Sequence, residues 1–225
     1  GPVLILDIKD RGTVSLSNHP NIDVIEVEDW TDFEEIYYFL ATGTEDYKTV
    51  VLDTVTQLQD MAIKQVTGED AGIITRRAWG EAASLMKTWL VLFRDLDMHV
   101  IFTAQDRSTE SDELDEEGMI MPEVGPYVMP SVAKILNACV GIAGQTFIRE
   151  VSVGDDGLMT EMQYCLRIGP HPRYYTKLRR DPTLITEALP SVLVNPTYAK
   201  LLKLSTKDIV KKRKVTQDGN TSAEA

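Results

Sequence analysis

Residues 2–8, PVLILDI, form a short apolar run that ends in Asp7 and predicts a buried strand. Residues 23–28, DVIEVE, alternate apolar and polar positions and predict a second strand, half-exposed. TDFEEIYYFLAT (31–42) opens on a Thr or Asp cap. It carries Phe33, Ile36, Tyr37 and Leu40 at helical spacing. TVVLD (49–53) predicts a third strand, followed by a helix from about Thr56 to Val66. RRAWGEAASLMKTWLVLFRD (76–95) predicts a long helix with Trp79, Ala83, Met86, Leu90 and Phe93 on one side. MHVIFTAQ (98–105) is the fourth predicted strand. Strands that alternate with helices in this way argue for βαβ units and a parallel sheet.

The second half has a different rhythm. PYVMPSVAKILNA (126–138) predicts a helix. Segments 138–153, 161–169 and 173–178 then read as successive strands joined by turns, extending the sheet as an antiparallel edge. Residues 106–117, DRSTESDELDEE, set seven acids against Arg107 alone and predict a charged loop. From about Ser205 the chain is nearly devoid of apolar residues and predicts a basic, disordered tail (205–225) after a core at 1–204.

Composition narrows the class. The apolar fraction is 43% and the charged fraction 26%, as in an ordinary globular protein. No apolar run approaches the ~18 residues of a membrane span. Cys139 and Cys165 lie in apolar surroundings without a CxxC or His/Cys cluster, so reduced thiols and a cytoplasmic setting are expected. His19, His99 and His171 show no ligand spacing. The net charge of −12 argues against broad nucleic-acid binding, so any DNA contact must be local or made by an assembly. The opening GPVLILD begins directly on a strand without Met and reads as a fragment or processed product.

Candidate chemistry gathers at strand ends. Asp53 closes an apolar strand. It either caps the following helix or holds a metal ion at the carboxyl edge of the sheet, where open α/β folds bind ligands. Gln105, at the end of the next strand, either meets a γ-phosphate or makes backbone hydrogen bonds at a loop edge. In RYYTKLRRDP (173–182), Lys177 and Arg179 are two apart and share a strand face, with Arg180 opposite. They form either a phosphate clamp or a solvated basic edge. Trp79, Trp89, Tyr37 and Tyr38 lie on helices at core-like spacing. Tyr174 and Tyr175 fit strand packing or base stacking, and KKRK (211–214) fits a solvated tail or phosphate contacts.

In order, LILDIKDRGTVSL, YKTVVLDTVTQL, HVIFTAQDR and LRIGPHPRYYTKLRR resemble the RecA-like P-loop ATPase core. More narrowly they are similar to the phage and prophage single-strand-annealing ATPases related to RecA and RadA. The resemblance covers roughly residues 2–182. It implies a RecA-like, mostly parallel sheet flanked by helices, with antiparallel edge strands in the C-terminal half. It also implies ATP and Mg²⁺ bound between the subunits of a homo-oligomeric ring or filament. Asp53 would position Mg²⁺, Gln105 would bind nucleotide, and Lys177 and Arg179 would act on a neighbour's ATP. Single-stranded DNA is the implied partner, in a bacterial host cell. Two departures stand out. Residues 1–225 contain no G-x-x-x-x-G-K-[ST], which in these proteins precedes the strand that is PVLILD here and lies beside the strand holding Gln105. And the D-x-E pattern of relatives reads Asp7-Ile8-Lys9, leaving Asp10 as the substitute catalytic acid. Rival expectations are an oligomerising scaffold without hydrolysis, and a ring-shaped DNA motor.

Overall fold

The computed structural model describes residues 1–16, 18–43, 46–68, 73–109, 122–153, 159–180 and 189–205. The chain divides into two compact units, Gly1–Val140 and Gly141–Ala225.

The first unit is built on β1 (Val3–Ile8), β2 (Ile22–Val27), β3 (Thr49–Asp53) and β4 (His99–Phe102), paired in the order β2-β1-β3-β4 and all parallel. Its helices are α1 (Trp30–Ala41), α2 (Val55–Thr67), α3 (Arg76–Arg94) and α4 (Pro130–Cys139). A 3-10 helix, Gly12–Leu16, connects β1 to β2. Strand order explains where the helices go. Parallel crossovers are right-handed. The β1-to-β2 step runs one way across the sheet. The steps through α1, and through α2 and α3, run the other way, so these helices share a face. Side chains agree. Leu4, Leu6, Ile8, Val27, Val50 and Leu52 alternate along their strands and join one core with Phe33, Leu58, Met86 and Leu90 of the helices. Val3, Ile5, Asp7, Val51 and Asp53 are the intervening residues, so they project from the opposite face.

Three of these helices, α1, α2 and α3, start on a side-chain cap. Asp29 accepts from the amides of Thr31 and Asp32 at the head of α1, Thr54 from Gln57 in α2, and Thr75 from Ala78 in α3. Trp30, Phe33, Trp89 and Phe93 form an aromatic cluster, with Phe33 and Phe93 stacked at 4.8 Å. Trp89 is buried as expected, but Trp79 is 38% and Tyr38 61% exposed. Trp79 lies in the first turn of α3, away from the buried run that begins at Ala82.

Asp106–Thr109 is not a loop. It forms β5 and pairs antiparallel with β6 (Glu123–Pro126). The hairpin is anchored where the Tyr127 amide donates to the Gln105 carbonyl at 2.7 Å. The remaining acids of the expected loop, from Glu110 onward, lie outside the described residues, as does KKRK 211–214. Among the described residues no helix is long and apolar enough to cross a membrane.

The second unit contains β7 (Ile142–Ala143), β8 (Gln145–Val153), β9 (Met159–Arg167), β10 (Lys177–Leu178), β11 (Val192–Val194) and α5 (Tyr198–Ser205). The antiparallel strands expected in the C-terminal half are present. Among the described residues they pair with one another, where the sequence pattern had put them at the edge of the parallel sheet. They form a β11-β9-β8 sheet and a β10-β7 pair of their own. Gly144 separates β7 from β8 where the chain passes close to β9: a Cβ there would lie 2.8 Å from Leu166 Cδ1 and 2.9 Å from the Arg167 carbonyl oxygen. Cys139 and Cys165 are both free thiols.

Candidate functional site

The carboxyl ends of β1, β3 and β4 bring together Asp7, Asp10, Asp53 and Gln105. Asp7 and Asp53 are direct partners in the β1–β3 register, with Glu26 on Asp7's other side. Three acids side by side across adjacent strands make this edge electronegative. Arg11 partly balances it, at 3.8 Å from Glu26 and 3.7 Å from Glu28.

Asp7 is 2% exposed and its carboxylate is fully used. Oδ1 accepts from the amides of Asp10 (3.2 Å) and Arg11 (2.8 Å). Oδ2 accepts from the Thr13 amide (3.3 Å) and hydroxyl (2.5 Å). Burial pushes the Asp7 pKa up, but the bonds from Thr13, Arg11 and Asp10 together outweigh it and hold the carboxyl below its ordinary value. The turn after β1 thus curls its amides around an anion that belongs to the chain itself, a filled nest. Lys9 (φ 59°) and Arg11 (φ 50°) adopt left-handed backbone, which such a turn requires. Asp10 is tied through its amide and its side chain is exposed, as is that of Lys9.

Asp53 is different. It does not cap α2: Thr54 does. The Asp53 side chain is half-buried and its Oδ1 accepts from the Thr103 hydroxyl at 2.5 Å. Among the described residues Oδ2 accepts no hydrogen bond. The Asp53–Thr54 peptide is cis. Thr103 is itself fastened to this segment, donating its amide to the Leu52 carbonyl (3.1 Å) and accepting at its carbonyl from the Val55 amide (2.9 Å). Sequence reading gave Thr103 no role. Its signal was the hydroxyl one residue past β4, where the continued β3–β4 register sets it beside Asp53.

Gln105 makes the backbone bonds of the second alternative. Its amide donates to Thr56 Oγ1 at 3.1 Å and its carbonyl accepts from Tyr127. Its side chain is exposed, so both roles are compatible. Beside it, Gln59 of α2 accepts from the Met129 amide at the head of α4. One face of α2 therefore holds both the exit of β4 and the start of α4.

Lys177 and Arg179 belong to the second unit. Lys177 pairs with Ala143 in the β10–β7 ladder, and the Arg179 amide continues it by donating to the Gly141 carbonyl at 2.8 Å. The regular strand covers only two of the six residues expected at 173–178. The residues leading into it are clamped. The Arg167 guanidinium lies 4.5 Å from the Tyr174 ring and 4.9 Å from the Phe147 ring. The Thr176 hydroxyl donates to the Gly169 carbonyl at 2.5 Å. Tyr174 thus packs against the sheet, while Tyr175 is 38% exposed.

Among the described residues no three His, Cys, Asp or Glu side chains form a group able to cage a metal. The donor set at Asp53 suits a hard cation taken by one carboxylate together with a ligand's own oxygens, which is how Mg²⁺ is usually bound with phosphates.

An open parallel sheet with acids at the carboxyl ends of adjacent strands is the architecture of an α/β ligand-binding domain. The model of the AAA domain family matches residues 1–180, and the chain belongs to that family. Its class is thereby a P-loop, AAA-type ATPase domain, a nucleotide-binding class that in general uses ATP and Mg²⁺. No curated protein matches the chain.

Proposed function

We propose that this chain forms the core of a RecA-like ATPase of phage or prophage type, acting on single-stranded DNA in recombination or annealing inside a bacterial cell. The observation that carries the nucleotide half is Asp53. Its carboxylate sits at the end of β3, pinned at one oxygen and open at the other, on a strand flanked by the ends of β1 and β4. Asp53 would hold Mg²⁺, which when bound neutralises charge on the nucleotide phosphates. Gln105, exposed at the β4 exit, would meet the γ-phosphate. Lys177 and Arg179 would serve the ATP of a neighbouring subunit in a ring or filament, where a cation stabilises charge on the transferring phosphoryl group. Asp10 is the acid nearest in sequence to Lys9 and would orient the attacking water.

The test uses the protein as its source makes it. Asp53→Asn should abolish Mg²⁺-dependent ATP turnover. Unchanged turnover would sink the metal role. Lys177→Ala subunits mixed with Asp53→Asn subunits should regain activity in mixed assemblies, and no recovery counts against a shared site. Fluorescence-polarisation binding to a single-stranded oligonucleotide tests the DNA half.

Lys9 favours a second reading. It stands where a catalytic carboxylate is expected, and a lysine cannot activate water. The fold would then be an oligomerising scaffold, which predicts nucleotide binding without turnover.

A further inference from the structure

Thr103 has a chemistry that the proposed roles leave unused. Its backbone is held on both sides, by Thr103 N–H to Leu52 O of β3 (3.1 Å) and by Val55 N–H at the start of α2 to Thr103 O (2.9 Å), so its side chain has little freedom. Its Oγ1 lies within reach of two acceptors, Asp53 Oδ1 at 2.5 Å and the Leu52 carbonyl at 3.2 Å. A hydroxyl carries one proton. It donates to one acceptor at a time, and the shorter, charge-assisted bond to the carboxylate is the stronger.

We infer that Thr103 is a positioning residue for Asp53: its hydroxyl fixes the carboxylate by Oδ1 so that Oδ2 faces a divalent cation, and it can turn its proton to Leu52 O when the cation draws on both oxygens. The two acceptors make this exchange possible by rotation of one O–H, without moving a heavy atom. The half-buried donor is satisfied in either state, so cation binding leaves no orphaned hydrogen-bond donor. The inference rests on Asp53 being the metal residue. Removing a donor that orients a metal-binding carboxylate usually changes metal affinity by about 10–100-fold.

The experiment measures the Mg²⁺ concentration at half-maximal binding of a fluorescent ATP analogue, in the protein as its source makes it. Thr103→Val keeps the shape and the β-branch and removes the hydroxyl. It should raise the Mg²⁺ midpoint about tenfold while metal-free analogue binding stays the same. Thr103→Ser should restore the wild-type midpoint. In a double-mutant cycle, Thr103→Val should add nothing in an Asp53→Asn background. If Thr103→Val lowers the melting temperature but leaves the midpoint within twofold, while Asp53→Asn shifts it, Thr103 is merely structural and the inference is overturned, with the role of Asp53 intact. If Asp53→Asn leaves the midpoint at the wild-type value, or wild-type protein shows no Mg²⁺-dependent binding, the metal reading of Asp53 fails and takes the inference with it.

Discussion

Asp7 and Asp53 are neighbours in the sheet register, yet their carboxylates are committed in opposite ways. Asp7 accepts four hydrogen bonds from the turn that follows it. Among the described residues Asp53 accepts one, from Thr103 just past the end of β4. Sequence places both as acids at the end of an apolar run. Only their partners make one a structural anchor and leave the other open to a ligand.

The Asp7 cluster should make stability depend on pH. The folded pKa of Asp7 is held below its ordinary value of 3.8. The unfolded chain therefore takes up the proton first as pH falls, and stability rises with pH across this window. The contribution is fully present above about pH 4 and is lost as pH drops through the folded value. Asp7→Asn should abolish this part of the acid dependence. It should also cost about 2–3 kcal/mol at neutral pH, because buried amides lose a charged acceptor. Urea unfolding followed from about pH 3, below the ordinary carboxylate pKa, to about pH 7, well above it, checks both effects.

Thr54, not Asp53, should carry the capping energy of α2. Thr54→Ala removes the acceptor of the Gln57 amide and should cost about 1 kcal/mol. Thr54→Ser should be close to neutral. Chemical denaturation of these two variants beside Asp53→Ala separates the roles: an Asp53→Ala loss as large as that of Thr54→Ala would show that Asp53 supports the helix after all.

The two tryptophans of α3 should behave unequally. Trp89 is 7% exposed and touches Trp30, Phe33 and Tyr37. Trp89→Ala should cost about 3–5 kcal/mol through lost packing and a cavity. Trp79→Ala, at the exposed first turn, should stay within about 0.5 kcal/mol of wild type. Equal losses would contradict the packing described here.

Arg167 should govern order in the segment leading to Lys177. Its planar guanidinium lies against two rings, and lysine offers no such plane. Arg167→Ala should speed amide exchange across residues 173–178 and lower stability by about 1–2 kcal/mol. Arg167→Lys should recover only part. Exchange rates equal to wild type in Arg167→Ala would remove the clamp from the account.

Hydrophobic periodicity alone determined a good deal of this protein. Leu4, Leu6, Val50 and Leu52 declare buried strands, and Phe33, Met86 and Leu90 declare the helices that cover them. Alternation of strand and helix then implies parallel pairing, because a short crossover helix returns the chain to the same end of the sheet. That is why Asp53 and Gln105 could be placed at one edge from sequence. Tertiary structure decided what local pattern cannot encode. The β5–β6 hairpin is held by backbone bonds, and the four residues of β5 are all exposed, so no apolar signal marks it. Trp79 and Trp89 are chemically alike, and only the direction each takes from α3 separates core from surface. The antiparallel strands show their alternation but not their partners: pattern alone put them at the edge of the parallel sheet, whereas the described residues pair them with one another. The Asp53–Thr103 bond links positions 50 residues apart. Contacts at that separation arise from strand order and register, which exist only once the whole sheet has formed.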